Sequence, residues 1–300
     1  MLYTLYTAPL IKVIEDLGVK CHIYADDIQL FYVFTNLSTA TSTLENCVTS
    51  IQSWMCKNFL KLNPDKTEIL LIQSKYKLNP LPNIILNLNG EQITSVNHIR
   101  SLGVNLDSCL TMKNFVSAKC KKIGMFLRKF SKVRKYFSFE AANVMLNAFV
   151  LGQLDYCNTL LIGSFNYLID RLQRLQNWSI RILFKLSKFD HVSFYYTEVH
   201  WLPVKQRINF KVLLLVFKCI IGEAPAYLSN LLTPYHPNRT LRSSDQSLLL
   251  VPHFNNLYGS RAFSVSGPIL WNALPDFVKN SPTAFTFKKR LKTYIFRQSF

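Results

Sequence analysis

The chain predicts an α+β fold, with a small antiparallel sheet backed by helix near its start and a longer, mostly helical remainder. Three observations carry this. Val19, Cys21 and Ile23 alternate with Lys20, His22 and Tyr24, and Ile28, Leu30, Tyr32 and Phe34 alternate again beyond Asp26-Asp27. That period of two belongs to half-buried strands. Residues 38–58, 111–136 and 168–186 carry apolar residues at helical spacing instead. From about residue 138 onward the helical pattern dominates.

Near the start, IKVIEDLG reads as the end of a short amphipathic helix, holding Glu15 and Asp16, the only acids upstream of Asp26. Ala25-Asp26-Asp27 reads as a tight turn joining two strands. Ser38 is placed to cap a helix running to about Asn58, with Leu44, Val48, Ile51 and Met55 on one stripe. TEILLI (67–72) reads as a strand, and IILNLNGEQIT (84–94) as a hairpin around Asn89-Gly90. Glu140 to Cys157 reads as a helix bearing Met145, Phe149 and Val150. Leu168, Leu172, Leu175, Ile182 and Leu186 stripe the next helix, and Pro203 opens another through Cys219. After Gly222 the prolines multiply, which predicts irregular structure around short helices.

Composition narrows the function. Lys+Arg number 35 against Asp+Glu 17, a formal charge of +18 with a pI of about 9.6. Such an excess attracts polyanions and makes affinity salt-dependent. The longest apolar run, VLLLVF, is too short to span a bilayer, and MLYTLYTAPL lacks a signal peptide's basic start. These features predict an intracellular protein, cytoplasmic or nuclear, neither secreted nor in a membrane. The 7 cysteines form no C-x-x-C pair and read as reduced core thiols. His191 and His200 have no cysteine pair nearby to complete a zinc site, and Asn238-Arg-Thr matches the glycosylation sequon by chance.

Three candidate interfaces emerge from charge. Adjacent carboxylates at a hairpin tip suit hard divalent cations, which take oxygen ligands and share them with phosphates. An ordinary Asp-rich turn is the alternative. Between Lys113 and Lys135 lie nine basic residues and no acid. Val116, Cys120, Ile123, Leu127 and Phe130 keep an apolar stripe, while Lys121, Arg128, Lys132 and Lys135 share another face. Lys119, Lys122 and Lys129 add to a surface that could track phosphates without reading sequence, or simply be solvated. Arg171, Arg174, Trp178, Arg181 and Lys185 line one side of a later helix. They fit single-strand binding by stacking and charge, or arginines lying over a packed tryptophan.

LYTLYTAPL, CHIYADDIQLFYVF, WMCKNFLKLNPDKTEIL and SLGVNLD together resemble the reverse transcriptase of non-LTR (LINE-type) retrotransposons, of the jockey-like branch. LDYCNTLLIG, RLQRLQNWSIRIL, HWLPVKQRINFK, GEAPAYL, LRSS, YGSRAFSVSGPILWNALP and FKKRLKTYIF look like the region after the polymerase core in that family. The resemblance implies a partial polymerase palm over 1–107, thumb-like basic helices over 108–160 and a helical accessory region over 161–300. It implies Asp26 and Asp27 as Mg²⁺ or Mn²⁺ ligands and catalytic residues, with Tyr24 and Ala25 beside the nucleotide. Trp54, Asn58, Lys61, Leu62, Asn63, Lys66 and Thr67 match the next motif, where Lys66, with Lys61 as rival, stands near the triphosphate. Leu102 and Gly103 match the segment that grips the primer end. The implied partners are an RNA template and a DNA primer or target, with no small molecule beyond the dNTP. The family's other metal-binding aspartate lies on an earlier strand, and its fingers and endonuclease also come earlier. The expectation is therefore the C-terminal part of a truncated copy, inactive alone. A non-catalytic nucleic-acid binder using the 113–135 helix is the alternative.

Overall fold

The computed structural model describes residues 2–74, 82–88, 91–235, 247–254 and 257–300. The Asn89-Gly90 turn, the Asn238 sequon and the LRSS motif at 241–244 lie outside the described residues. The chain divides into two compact units, Met1–Thr111 and Met112–Phe300. The first mixes helices with short antiparallel strands and the second is helical, so the α+β class stands. The second unit takes in residues 112–160 and 161–300 together. Their apolar stripes supply the reason: helices from both segments bury them against each other.

In the first unit, α1 (Leu2–Glu15) buries Thr7, Leu10 and Ile14, one stripe at helical spacing. The Thr7 hydroxyl donates to the Tyr3 carbonyl at 3.0 Å, which satisfies it inside the helix. Strands β1 (Lys20–Tyr24) and β2 (Asp27–Phe31) come next, paired from Lys20↔Phe31 to Tyr24↔Asp27. Their inward residues Cys21, Ile23, Ile28 and Leu30 pack on a core of Leu10, Ile14, Val19, Cys47, Ile51 and Met55. Helix α2 (Leu37–Lys57) supplies the last three.

The cap of α2 is Asn36, not Ser38. The Asn36 side-chain oxygen accepts from the Ser38 N–H at 2.9 Å and from its hydroxyl at 2.8 Å. Both residue types cap well, and the chain enters the helix early enough for the asparagine to take the position.

Strands β3 (Ile85–Leu88) and β4 (Glu91–Thr94) form a second hairpin, and β5 (His98–Ser101) and β6 (Val104–Asp107) a third. The expected single sheet is therefore three separate two-stranded ladders among the described residues. TEILLI, which could have joined them, is no strand. It makes one parallel bridge, Leu70 to Val96, and the Val96 N–H donates to the Ile69 carbonyl at 2.8 Å. Its partner is the short link between two hairpins, too brief to build a ladder. Side chains connect what the backbone does not: the Gln29 amide donates to the Ser101 hydroxyl, and the Asn87 N–H to Glu45 Oε1 at 2.9 Å.

The second unit opens with α3 (Lys113–Val133) and a 3₁₀ turn at Arg134–Tyr136. Helix α4 (Phe139–Leu146) is capped by Ser138 and runs through a π turn at Asn147–Leu151 into α5 (Gly152–Asp155). The uniform helix expected over 140–157 is thus widened in its middle. Helix α6 (Asn166–Phe184) packs on α3, and α7 (Ser193–Glu198) leads to α8 (Val204–Ile220), where Pro203 takes the cap position, one residue before the first helical turn that the sequence has it open. Short α9 (Ala226–Ser229) and α10 (Leu257–Arg261) precede α11 (Phe263–Asn272), α12 (Asp276–Lys279) and α13 (Ala284–Ser299).

VLLLVF forms the centre of this unit. Val216 and Phe217 of α8 meet Trp271 of α11 and Phe287 and Leu291 of α13, with the Phe217 and Phe287 rings stacked at 4.1 Å. Gly267 allows α11 to come close, since a Cβ there would lie 3.0 Å from a Val216 methyl. Burying each such apolar side chain contributes about 1.5–3 kcal/mol. Arg207 of α8 grips Asp155 with two donors, Nε at 2.8 Å and Nη2 closer still. This fork holds the end of α5 against α8.

Candidate catalytic hairpin and nucleic-acid interface

The turn at the head of the first unit is as tight as the sequence predicts. Tyr24 pairs with Asp27, so Ala25 and Asp26 alone cross between strands. Ala25 has φ +53°, a left-handed conformation that costs a non-glycine residue about 1–2 kcal/mol. Tyr24, Ala25, Asp26 and Asp27 are all exposed, on a hairpin whose opposite face is packed into the core. Two carboxylates are thus held in water at the end of a braced element.

The other residues expected near a nucleotide lie in the same unit. Trp54, Leu60 and Leu62 pack against the core that carries the hairpin. Asn63 then caps a 3₁₀ turn over Pro64–Lys66, its side chain accepting the Asp65 N–H at 3.1 Å. Lys61 and Lys66 are both exposed. Leu102 and Gly103 form the β5–β6 turn with φ +45° and +79°. Positive values at both positions suit a two-residue hairpin of mirror-image type, which requires a residue such as glycine. The ordinary role of a turn glycine is therefore satisfied here, and Leu102 holds an unusual backbone for its type. No three His, Cys, Asp or Glu side chains cluster as a metal cage among the described residues. Asp26 and Asp27 nevertheless fit Mg²⁺ chemically, because that ion is commonly held by one or two carboxylates together with substrate phosphates.

The second unit carries the basic surface. Lys121, Lys122, Arg128, Lys129 and Lys132 of α3 are exposed, with Lys135 just beyond, and none of them forms an ion pair among the described residues. Lys119 is a correction. It is only 6% exposed, and its Nζ donates to the backbone oxygens of Gln153 and Tyr156 (the latter at 2.9 Å), which close the end of α5. The Phe115 ring lies 4.6 Å from the same ammonium. Burial pulls its pKa down to about 8, partly offset by Cys157 and Asp155. Its spacing explains the placement: it stands three residues after Val116 and four before Ile123, on the buried stripe. Lys119 therefore braces α3 against α5 rather than meeting phosphate.

On α6, Arg174 is exposed, Arg171 donates to the Ser117 hydroxyl at 3.2 Å, and Arg181 donates to the Asp190 carbonyl at 3.1 Å. Trp178 is half-buried. Arg134, absent from the expected basic face, is 6% exposed and ties the Phe137 and Leu183 carbonyls at 2.7 Å each. A groove of about 710 Å³ lies between the end of α3 and the end of α6, lined by Lys135, Trp178, Arg181, Lys185 and Lys188 among others. Sequence reasoning missed Lys188 and the Asp155–Arg207 fork. Lys188 continues the spacing of Arg181 and Lys185 just past the helix end, whereas the fork joins two different helices and no spacing signals it.

No curated protein and no solved structure matches the chain. Residues 1–106, which hold the hairpin with its two carboxylates and the Leu102-Gly103 turn, match the family model described as reverse transcriptase (RNA-dependent DNA polymerase).

Proposed function

We propose that the chain is the C-terminal portion of a non-LTR retrotransposon reverse transcriptase, working inside the cell on an RNA template and a DNA primer or target. One observation carries this: two adjacent exposed carboxylates stand on a braced hairpin within the segment similar to reverse transcriptases. Asp26 and Asp27 hold Mg²⁺ or Mn²⁺. When bound, such a cation stabilises charge on the reacting phosphoryl oxygens. Tyr24 and Ala25 lie beside the nucleotide, and Lys66 screens the leaving pyrophosphate. The Leu102-Gly103 turn contacts the primer end, while the exposed face of α3 tracks phosphates. Two carboxylates are fewer than the family's metal site uses, so nucleotidyl transfer by these 300 residues alone is expected to be absent.

Metal binding and catalysis are separable in the test. Mn²⁺ should broaden backbone amide signals around residues 24–28, and Asp26→Asn should remove that broadening. Primer extension on an RNA template should stay at background. Broadening indifferent to Asp26→Asn would sink the metal assignment, and extension by the chain alone would overturn its inactivity.

A further inference from the structure

The groove between the end of α3 and the end of α6 has properties that a solvated basic face lacks. Arg134 forms part of its lining although it is more than nine-tenths buried, and its Nε has no hydrogen-bond partner. The Arg181 Nε is buried and unpartnered as well. Asp190, whose carbonyl accepts from Arg181, turns its carboxylate to the Ser187 N–H at 2.7 Å. No acidic side chain lines the groove among the described residues. An unmet buried guanidinium donor is costly, so both arginines are held at the groove with positive charge that no carboxylate there offsets.

Aromatic surface accompanies this charge. Trp178 stands in the lining with Ile182 and Leu186. Two of the lining lysines lie over neighbouring rings, Lys135 5.0 Å from that of Tyr136 and Lys188 5.7 Å from that of Phe189. Those rings are 76% and 85% exposed, so both are open to a stacking partner. A duplex offers phosphates and hides its base faces. A single strand offers both, and rings alternating with cations match it.

We infer that this groove binds a single-stranded nucleic acid, with an unpaired base stacked on Trp178 and flanking phosphates held by Arg181, Lys185, Lys188 and Lys135. This deepens the proposed nucleic-acid function and rests on it only for the partner's general class. The site lies wholly within the second unit, so it acts whether or not the hairpin binds metal.

Fluorescence anisotropy with the full chain tests the assignment. The probes are one short sequence as single-stranded RNA and as single-stranded DNA, the corresponding duplex, and an abasic strand of equal length. Both single strands should bind more tightly than the duplex, and about 5- to 150-fold more tightly than the abasic strand, the range that a stacked base contributes. Trp178→Leu should erase the preference over the abasic strand while leaving abasic binding intact, and Trp178→Phe should keep it. Lys185→Asn with Lys188→Gln alters only exposed residues, and asparagine suits the left-handed backbone at 185. That pair should lower the slope of log K against log salt by about 1.4. Equal binding of abasic and ordinary strands, duplex preference, or an unchanged salt slope in the lysine pair would each overturn the groove. Lys121→Gln with Lys132→Gln separates the readings: loss there, with groove variants unaffected, keeps the α3 face and discards the groove.

Discussion

Helices α2 and α3 have the same length, 21 residues, and turn different chemistry outward. The outer face of α2 is lined by hydroxyls that bond back to their own helix: Thr41, Ser42, Thr43 and Thr49 each donate to the carbonyl four residues earlier. Its inner face carries the hairpin with the two carboxylates. The outer face of α3 is cationic, and its inner face is apolar core apart from Lys119. A helix that supports a site can satisfy itself and offer nothing outward. A helix that is itself the surface keeps cations turned to water, and α3 does so with Lys121, Lys122, Arg128, Lys129 and Lys132.

The largest expected effects test whether both inner faces matter equally. Ile51→Ala in α2 and Leu127→Ala in α3 each remove a buried side chain and should cost about 2–5 kcal/mol. Denaturant unfolding monitored separately by probes in each unit checks this. If Ile51→Ala disturbs the second unit's transition as much as its own, the division of labour between the helices fails.

Next in size is a pair of pH effects with opposite sign. Burial, aided by Cys21, pushes the Cys47 thiol of α2 up from 9.0 to about 11. Between those values only the unfolded chain loses its proton, so the Cys47 contribution to stability falls as pH rises. Lys119 of α3 drops from 10.5 to about 8. Between those values only the unfolded chain keeps its proton, so the Lys119 contribution rises with pH. Unfolding at pH 7.5 and 9.5 should show Cys47→Ala removing a negative slope and Lys119→Met removing a positive one. Slopes of one sign would remove this contrast.

The smallest effect sharpens the two helix starts. Asn36→Ala should cost about 1 kcal/mol through lost capping. The position preceding α3, Met112, has no side-chain cap bond and is held by burial at 4% exposure instead. Met112→Asn, which restores a capping side chain at the expense of that packing, should fail to stabilise in thermal melts.

Much of this was legible in the chain itself. The alternation on either side of Asp26-Asp27 gave both strands, because one face of that hairpin is buried and the other wet. The stripe Val116, Ile123, Leu127 located the core face of α3. The same arithmetic, applied to the basic residues, would have set Lys119 and Arg134 apart: each falls on the buried stripe, three or four residues from a core position. Counting charge over a segment concealed that. The strands after residue 66 were less legible, since whether TEILLI joins a ladder depends on a partner whose length no local pattern reveals. The groove at Trp178 required two segments some fifty residues apart to converge, and only half of it lies on a single helix.

The π turn at Asn147–Leu151 has a further meaning. A wider turn accommodates one residue more than an α-helical path between the same end points, and each residue rotates the succeeding chain by about 100°. Asp155 lies just beyond it and meets Arg207 with both oxygens. The stretch therefore holds one residue more than an unbroken α-helix would, and the fork with Arg207 fixes the resulting phase. Length, rather than composition, is what this part of the chain cannot easily change: a single deletion here would re-aim Asp155, whereas many substitutions at its exposed positions would not.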